Sequence, residues 1–242
     1  MNIDRNLILQ YLTTHLQPLE YINALWLEGA DGLRTVDEFS DIDIWVDVAD
    51  GKEEQTISDI RSILSRLGVL DFDFEKQHGH PKIRQHFFHI KNTPKFLIID
   101  LCVQSASREF WFTDGMDGEK VKIIFDKKSV VTFKPSDRDK FNKEISKRKK
   151  YLLNDFKIMK IDVEKELERG DYLGALNFYI SLARIFTEIQ RLEYSPTKHD
   201  FGLKHASRDL PLGIAEIIRT VYKFSTIDDL KNNIAIMITN LT

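Results

Sequence analysis

The stretch that decides the fold opens with Trp26-Leu27-Glu28-Gly29-Ala30-Asp31-Gly32. It closes with Asp41-Ile42-Asp43-Ile44-Trp45-Val46-Asp47-Val48. In the second half, Ile42, Ile44, Val46 and Val48 alternate with Asp41, Asp43, Trp45 and Asp47. A strict period of two is a strand with one apolar face. Residues i and i+2 of a strand face the same way, so Asp41 and Asp43 are expected on one face, about 7 Å apart at a rise of roughly 3.4 Å per residue. Two like charges that close repel and are costly to desolvate, and a divalent cation removes the problem. Mg²⁺ is hard, prefers oxygen, and is typically held by one or two carboxylates plus substrate phosphates. In the first half, the apolar run Ala24–Leu27 reads as a buried strand ending at Gly29. A helix start over Ala30–Leu33 would aim backbone N–H groups at an anion. Ten residues separate Ala30 from Asp41, so phosphate and metal can meet at one end of a sheet.

A third acid, Asp100, sits inside Phe96-Leu97-Ile98-Ile99-Asp100-Leu101-Cys102-Val103. An acid in such a run is expected to be buried or nearly so, where an unpaired carboxylate costs several kcal/mol or shifts its pKa upward. Its expected partner is a metal, a proton taken from substrate, or a cation such as Arg84 or Arg108.

Around this core the chain reads as two halves. Ile3, Leu7, Tyr11 and Leu12 recur at helical spacing, and Pro18 ends that helix. Ile57, Ile60, Ile63, Leu64 and Leu67 mark a second helix, stopped by Gly68. Val69–Phe74, Ile83–Ile90 and Phe96–Val103 read as strands, with Val121–Phe125 as the last. After about Pro135 helical patterns take over: Asp137–Lys160, Tyr172–Tyr194, Gly213–Phe224 and Ile227–Leu241. Leu173, Leu176, Ile180, Ala183, Phe186, Thr187 and Gln190 share one stripe of the second of these. The fold class is α+β: a mixed-sheet domain with helices over 1–130, then an α-helical bundle over 131–242.

Composition narrows the class. The 242 residues are 42% apolar and 30% charged, ordinary for globular chains. One cysteine, Cys102, excludes an internal disulfide and a cysteine-based zinc site. Met1–Leu19 carries Asp4, Arg5, His15 and Gln17 and does not read as a signal peptide. No run of 18 apolar residues marks a membrane span, so the expectation is a soluble, cytoplasmic protein with no membrane partner. The net charge of −3 conceals a split. Residues 1–125 hold 13 Lys and Arg against 21 Asp and Glu, and residues 126–242 hold 22 against 17. An acidic half suits metal ions and a cationic acceptor, and a basic half suits phosphates.

The constellation resembles the polymerase-β-type nucleotidyltransferase superfamily, whose signature is Gly-(Gly/Ser), a spacer of this length, and Asp-hydrophobic-Asp-hydrophobic. Here it reads Gly29-Ala30, then Asp41-Ile42-Asp43-Ile44, with Asp100 as the third acid on a later strand. The resemblance covers roughly residues 20 to 105. It implies a mixed sheet with helices on one side. It also implies transfer of a nucleoside monophosphate from ATP or another nucleoside triphosphate. Asp41, Asp43 and Asp100 would be the catalytic and metal-binding residues, around one or two Mg²⁺ ions. Gly29, Ala30, Asp31 and Gly32 would cradle phosphates. Ala30 lacks the hydroxyl that the family often has after the Gly; Arg34 offers a side-chain phosphate contact instead. The segments Ser195–Lys204 and Arg208-Asp209-Leu210-Pro211 are similar to those of bacterial antibiotic nucleotidyltransferases, which modify aminoglycosides or lincosamides. In the streptomycin type, a Lys followed by Leu-Pro contacts the nucleotide phosphates, and Lys198 is the matching position. Lys204 is a second candidate. The acceptor implied is a small hydroxylated molecule.

Rival readings are a sugar-nucleotide-binding glycosyltransferase, a protein-modifying nucleotidyltransferase of toxin–antitoxin type, and a non-catalytic module, for which Ala30 argues. His78, His80, His86 and His89 cluster, but His86 and His89 differ in strand parity and point to opposite faces, which disfavours zinc. Lys147-Arg148-Lys149-Lys150 reads as a solvated helix face, and no base-stacking motif accompanies it to suggest nucleic acid. Phe87-Phe88 and Phe110-Trp111-Phe112 are expected in the core, the latter also as a candidate acceptor-pocket lining. Ile234–Leu241 reads as a core helix or a homodimer contact.

Overall fold

The computed structural model describes residues 3–114 and 120–241. Met1, Asn2 and Thr242, which the expected domains and leader reading include, lie outside them. The chain forms two compact units, Met1–Ser136 and Asp137–Thr242.

The first unit is built on a six-stranded mixed sheet. Its strands are β1 (Ile22–Leu27), β2 (Ile42–Val48), β3 (Leu70–Lys76), β4 (Ile83–Ile90), β5 (Ile99–Ser105) and β7 (Lys122–Asp126), in the order β3-β4-β5-β2-β1-β7. β2 and β5 run parallel and the other neighbours antiparallel. Helices α1 (Arg5–Leu16) and α3 (Glu53–Leu67) cover one face. There Ile8, Leu12, Ile57, Ile60 and Leu64 pack against Ile42, Ile44, Val46, Ile99, Leu101 and Val103, all at most 1% exposed. The alternation in β2 is thus spent as expected, with the apolar set under the helices and Asp43, Trp45 and Asp47 on the other face.

Two strands were not legible. β6 (Phe112–Asp114) and β8 (Phe133–Pro135) pair in parallel as a separate ribbon, so β7 is not the last strand. Each has three residues, too few for a periodic signal.

The second unit is helical: α4 (Arg138–Glu168), α5 (Tyr172–Tyr194), α6 (Ala206–Asp209), α7 (Leu212–Val221) and α8 (Ile227–Thr239), with a 3-10 turn over Pro196–Phe201. Asp137 and Asp171 cap α4 and α5, their carboxylates accepting the Lys140 and Gly174 N–H groups at 2.9 Å. Helix α4 runs past Lys160 because no breaker intervenes before Gly170, which turns the chain at φ +72. Val163 and Leu167 continue its apolar stripe. Leu173 is not on the buried stripe of α5; it is 75% exposed, and burial begins at Ala175 and Tyr179. Arg148 and Lys149 pair with Glu188 and Glu193, tying α4 to α5 and using half of the basic run structurally.

Candidate active site

The sheet face opposite α1 and α3 carries the candidate acids Asp43 and Asp100, and strand register places them. Asp43 on β2 stands opposite Asp100 on β5, Asp100 opposite Phe87 on β4, and Phe87 opposite Phe74 on β3. Neighbouring strands lie about 4.8 Å apart, so the two carboxylates are side by side. On the far side of Asp43 the main chain of Glu28 donates to the Asp43 carbonyl at 3.1 Å. The next row down reads Trp26, Trp45, Cys102 and Gln85. Burial pushes the Cys102 thiol pKa upward, and the carboxylates of Asp100, Glu28 and Asp43 push it further. These three acids therefore crowd one end of the sheet.

Gly29 is held there for two reasons. Its φ of +54 is left-handed, and a Cβ on it would fall 1.9 Å from Asp43 Oδ2. It opens the single-turn helix α2 (Gly29–Leu33), closed by the Gly32 N–H to the Glu28 carbonyl at 3.2 Å. Gly32 is needed separately, since a Cβ there would fall 1.9 Å from the Lys120 carbonyl oxygen. Asp31, Gly32 and Arg34 line one side of a cleft of about 740 Å³, with Val121, Lys122 and Phe133 on the other.

One expected residue sits differently from its reading, and others have partners that the sequence did not show. β2 opens at Ile42, so Asp41 precedes the strand and is exposed. Asp31 is 7% exposed, and its Oδ2 pairs with Arg5 Nη2 at 2.5 Å, facing α1. The same Arg5 donates to the carbonyls of Asp41 at 2.5 Å and Ser40 at 3.2 Å. Arg5 thereby pins the glycine turn and the Asp41 loop together, a role no local pattern announces. Gln85, which the sequence did not suggest, is among the partners of Asp100. Gln85 Nε2 donates to both carboxylate oxygens, at 2.8 and 3.0 Å. Arg84 pairs with Glu54 and Glu75, and Arg108 hydrogen-bonds Gln104 while lying over the rings of Trp45 and Phe110. Glu28 was also missed; its Oε1 accepts the Trp26 indole N–H at 2.9 Å. The only sequence signal for it was a strand ending in an acid next to the glycine.

Among the described residues no group of three or more His, Cys, Asp and Glu side chains is arranged to hold a metal ion. His86 is buried under α3 with Asp73 at 2.5 Å, and His89 pairs with Asp71 at 2.6 Å. The in-register pair Asp43 and Asp100 are the residues that could hold a hard cation, together with phosphate oxygens and water.

In the second unit, Lys198 lies in the 3-10 turn and donates to Asp209 Oδ1 at 3.1 Å. Arg191, fully buried, organises this loop by donating to the carbonyls of Gly202 at 2.6 Å, Lys204 at 2.6 Å and Lys198 at 3.3 Å. Burial works to raise the Asp209 pKa, but the Lys198 hydrogen bond and nearby cations hold it below the usual carboxylate range. Lys204 is exposed.

No protein-family model matches the chain, and no curated protein matches it. Several solved structures are similar at a low level, among them these two. One is a nucleotidyltransferase-like protein from Exiguobacterium sibiricum 255-15, at 11% identity and TM-score 0.35, covering 96% of this chain and 71% of that one. The other is spectinomycin adenyltransferase AAD(9) from Enterococcus faecialis with ATP and spectinomycin, at 13% identity and TM-score 0.32, covering 98% and 97%.

Proposed function

We propose that the protein is a Mg²⁺-dependent nucleotidyltransferase, moving AMP from ATP to a hydroxyl of a small aminoglycoside- or lincosamide-type acceptor. The observation that supports this is the in-register pair Asp43–Asp100 with Gly29 packed against the Asp43 carboxylate. Mg²⁺, as one or two ions, would neutralise charge developing at the α-phosphoryl group. Asp43, with Asp41 beside it, would hold the metal. The Gly29–Gly32 turn and Arg34 would hold the β- and γ-phosphates. Asp100 either completes the metal site or accepts the acceptor's hydroxyl proton. The acceptor oxygen forms a bond to the α-phosphorus, the bond to pyrophosphate breaks, and the proton leaves to Asp100 or to solvent. Lys198 and Lys204 are proposed phosphate contacts of the second unit. A cytoplasmic location is part of this reading.

The test is mass spectrometry of an antibiotic and polyol panel incubated with each nucleoside triphosphate and Mg²⁺. A gain of one nucleoside monophosphate, absent with Asp43→Asn, is the expected result. Wild-type turnover in Asp43→Asn would refute it. A second reading, a nucleotide-binding module without turnover, is favoured by Ala30, which offers no hydroxyl to a phosphate. It predicts Mg²⁺-dependent thermal stabilisation by nucleotide with no mass gain on any acceptor.

A further inference from the structure

The outer face of β3 inverts the usual logic of an edge strand. Phe72 and Phe74 point to the open side of the sheet, 46% and 53% exposed, with ring centroids 6.2 Å apart. The acids Asp73 and Glu75 turn to the helix side, where Arg61 and Arg84 take them. Edge strands are normally defended by outward charge, and contiguous exposed apolar patches mark binding surfaces. Register makes this patch continuous with the acid pair, because Phe74 is followed across the sheet by Phe87, Asp100 and Asp43. Two strand spacings, about 10 Å, separate Phe74 from Asp100, the span of one ring molecule.

In-line displacement fixes which co-substrate lies there, and this step rests on the transfer reading above. Attacking and leaving oxygens sit on opposite sides of the phosphorus. The glycine turn follows β1, so pyrophosphate leaves on the β1 side of Asp43, and the hydroxyl arrives from the β5 side. Beyond Asp100 on that side stand Phe87 and Phe74. We infer that Phe74 and Phe87 form the acceptor platform and select a ring-bearing alcohol with a flat apolar face within about 10 Å of its reacting hydroxyl.

Saturation-transfer NMR on the full chain, with benzyl alcohol and cyclohexanol as ring probes and propan-2-ol as the ring-free control, tests this directly. The ring probes should receive saturation from wild type, at least threefold less from Phe74→Ala, and again from Phe74→Tyr. Phe74 is half exposed, and circular dichroism of Phe74→Ala checks its fold. Equal saturation of ring and ring-free probes, or of wild type and Phe74→Ala, overturns the platform. In the transfer assay, Phe74→Ala should raise the acceptor KM about tenfold with the ATP KM unchanged, and an unchanged acceptor KM also overturns it. Ring binding that depends on Phe74, with no transfer to any compound, would keep the platform and sink the transfer reading instead.

Discussion

Gly29→Ala, compared with Gly51→Ala, separates two costs that usually come together. Both glycines are left-handed, at φ +54 and +79. A Cβ on Gly51 meets nothing within 4 Å, so alanine there carries the backbone cost alone, about 1–2 kcal/mol. At Gly29 the same Cβ would stand 1.9 Å from Asp43 Oδ2, far inside the van der Waals distance of about 3.5 Å. The Asp43 carboxylate must swing away, and overpacking of this kind adds about 1–3 kcal/mol. Urea unfolding of the two variants should therefore differ by about 1–3 kcal/mol, with Gly29→Ala the weaker. The second readout is thermal stabilisation by ATP with Mg²⁺, which Gly51→Ala should keep and Gly29→Ala lose. Equal stability and equal nucleotide response in the two variants would show that Gly29 does not make room for Asp43.

Arg5→Met should cost about 3–5 kcal/mol in urea unfolding, because it leaves the Asp31 carboxylate buried without its partner; Arg5→Met/Asp31→Asn should recover part of that. A cost under 1 kcal/mol would deny Arg5 its bracing role. Asp209→Asn should destabilise at pH 7 and do so progressively less on acidification. The folded pKa of Asp209 lies below its unfolded value, so its stabilisation is present above the unfolded pKa and lost as pH falls through the folded one. Denaturation at pH 7 and pH 3 reads this directly, and a constant gap would refute it. Asp47 has the opposite sign. Burial raises its pKa, against the Gln104 and Asn23 hydrogen bonds, so wild-type stability should lose a contribution as pH rises from the unfolded Asp47 value through the folded one. Asp47→Asn should flatten that slope in the same titration.

Periodicity exposed what is local and hid what is long-range. The alternation of β2 and the 3.6-residue stripe of α5 were readable because each repeats over several residues. Asp100 was readable as an oddity, an acid in an apolar run, but its contact with Gln85 was not. Gln85 reaches it from a neighbouring strand 15 positions away, and only register shows that. Arg5 is more remote still, 36 residues from Asp41, on a helix whose sequence shows only an amphipathic stripe. The Arg5–Asp31 pair was hidden for the same reason, since nothing near Asp31 in the sequence points to α1.

The partners of the acid row bear on its chemistry. On the helix side of the sheet, Asp73 and Glu75 are met by guanidinium groups, which cancel their charge. On the open side, partners of Glu28 and Asp100 include an indole N–H and a carboxamide. Carboxylates this close repel one another, whatever else each one contacts. Burial raises the Cys102 pKa most, and the three carboxylates push it further against Arg108. A cation bound to the row should relieve that repulsion. Saturating Mn²⁺ should therefore raise the unfolding temperature of wild type and leave that of Asp43→Asn unchanged. An unmoved unfolding temperature in wild type would mean that the row does not take the cation.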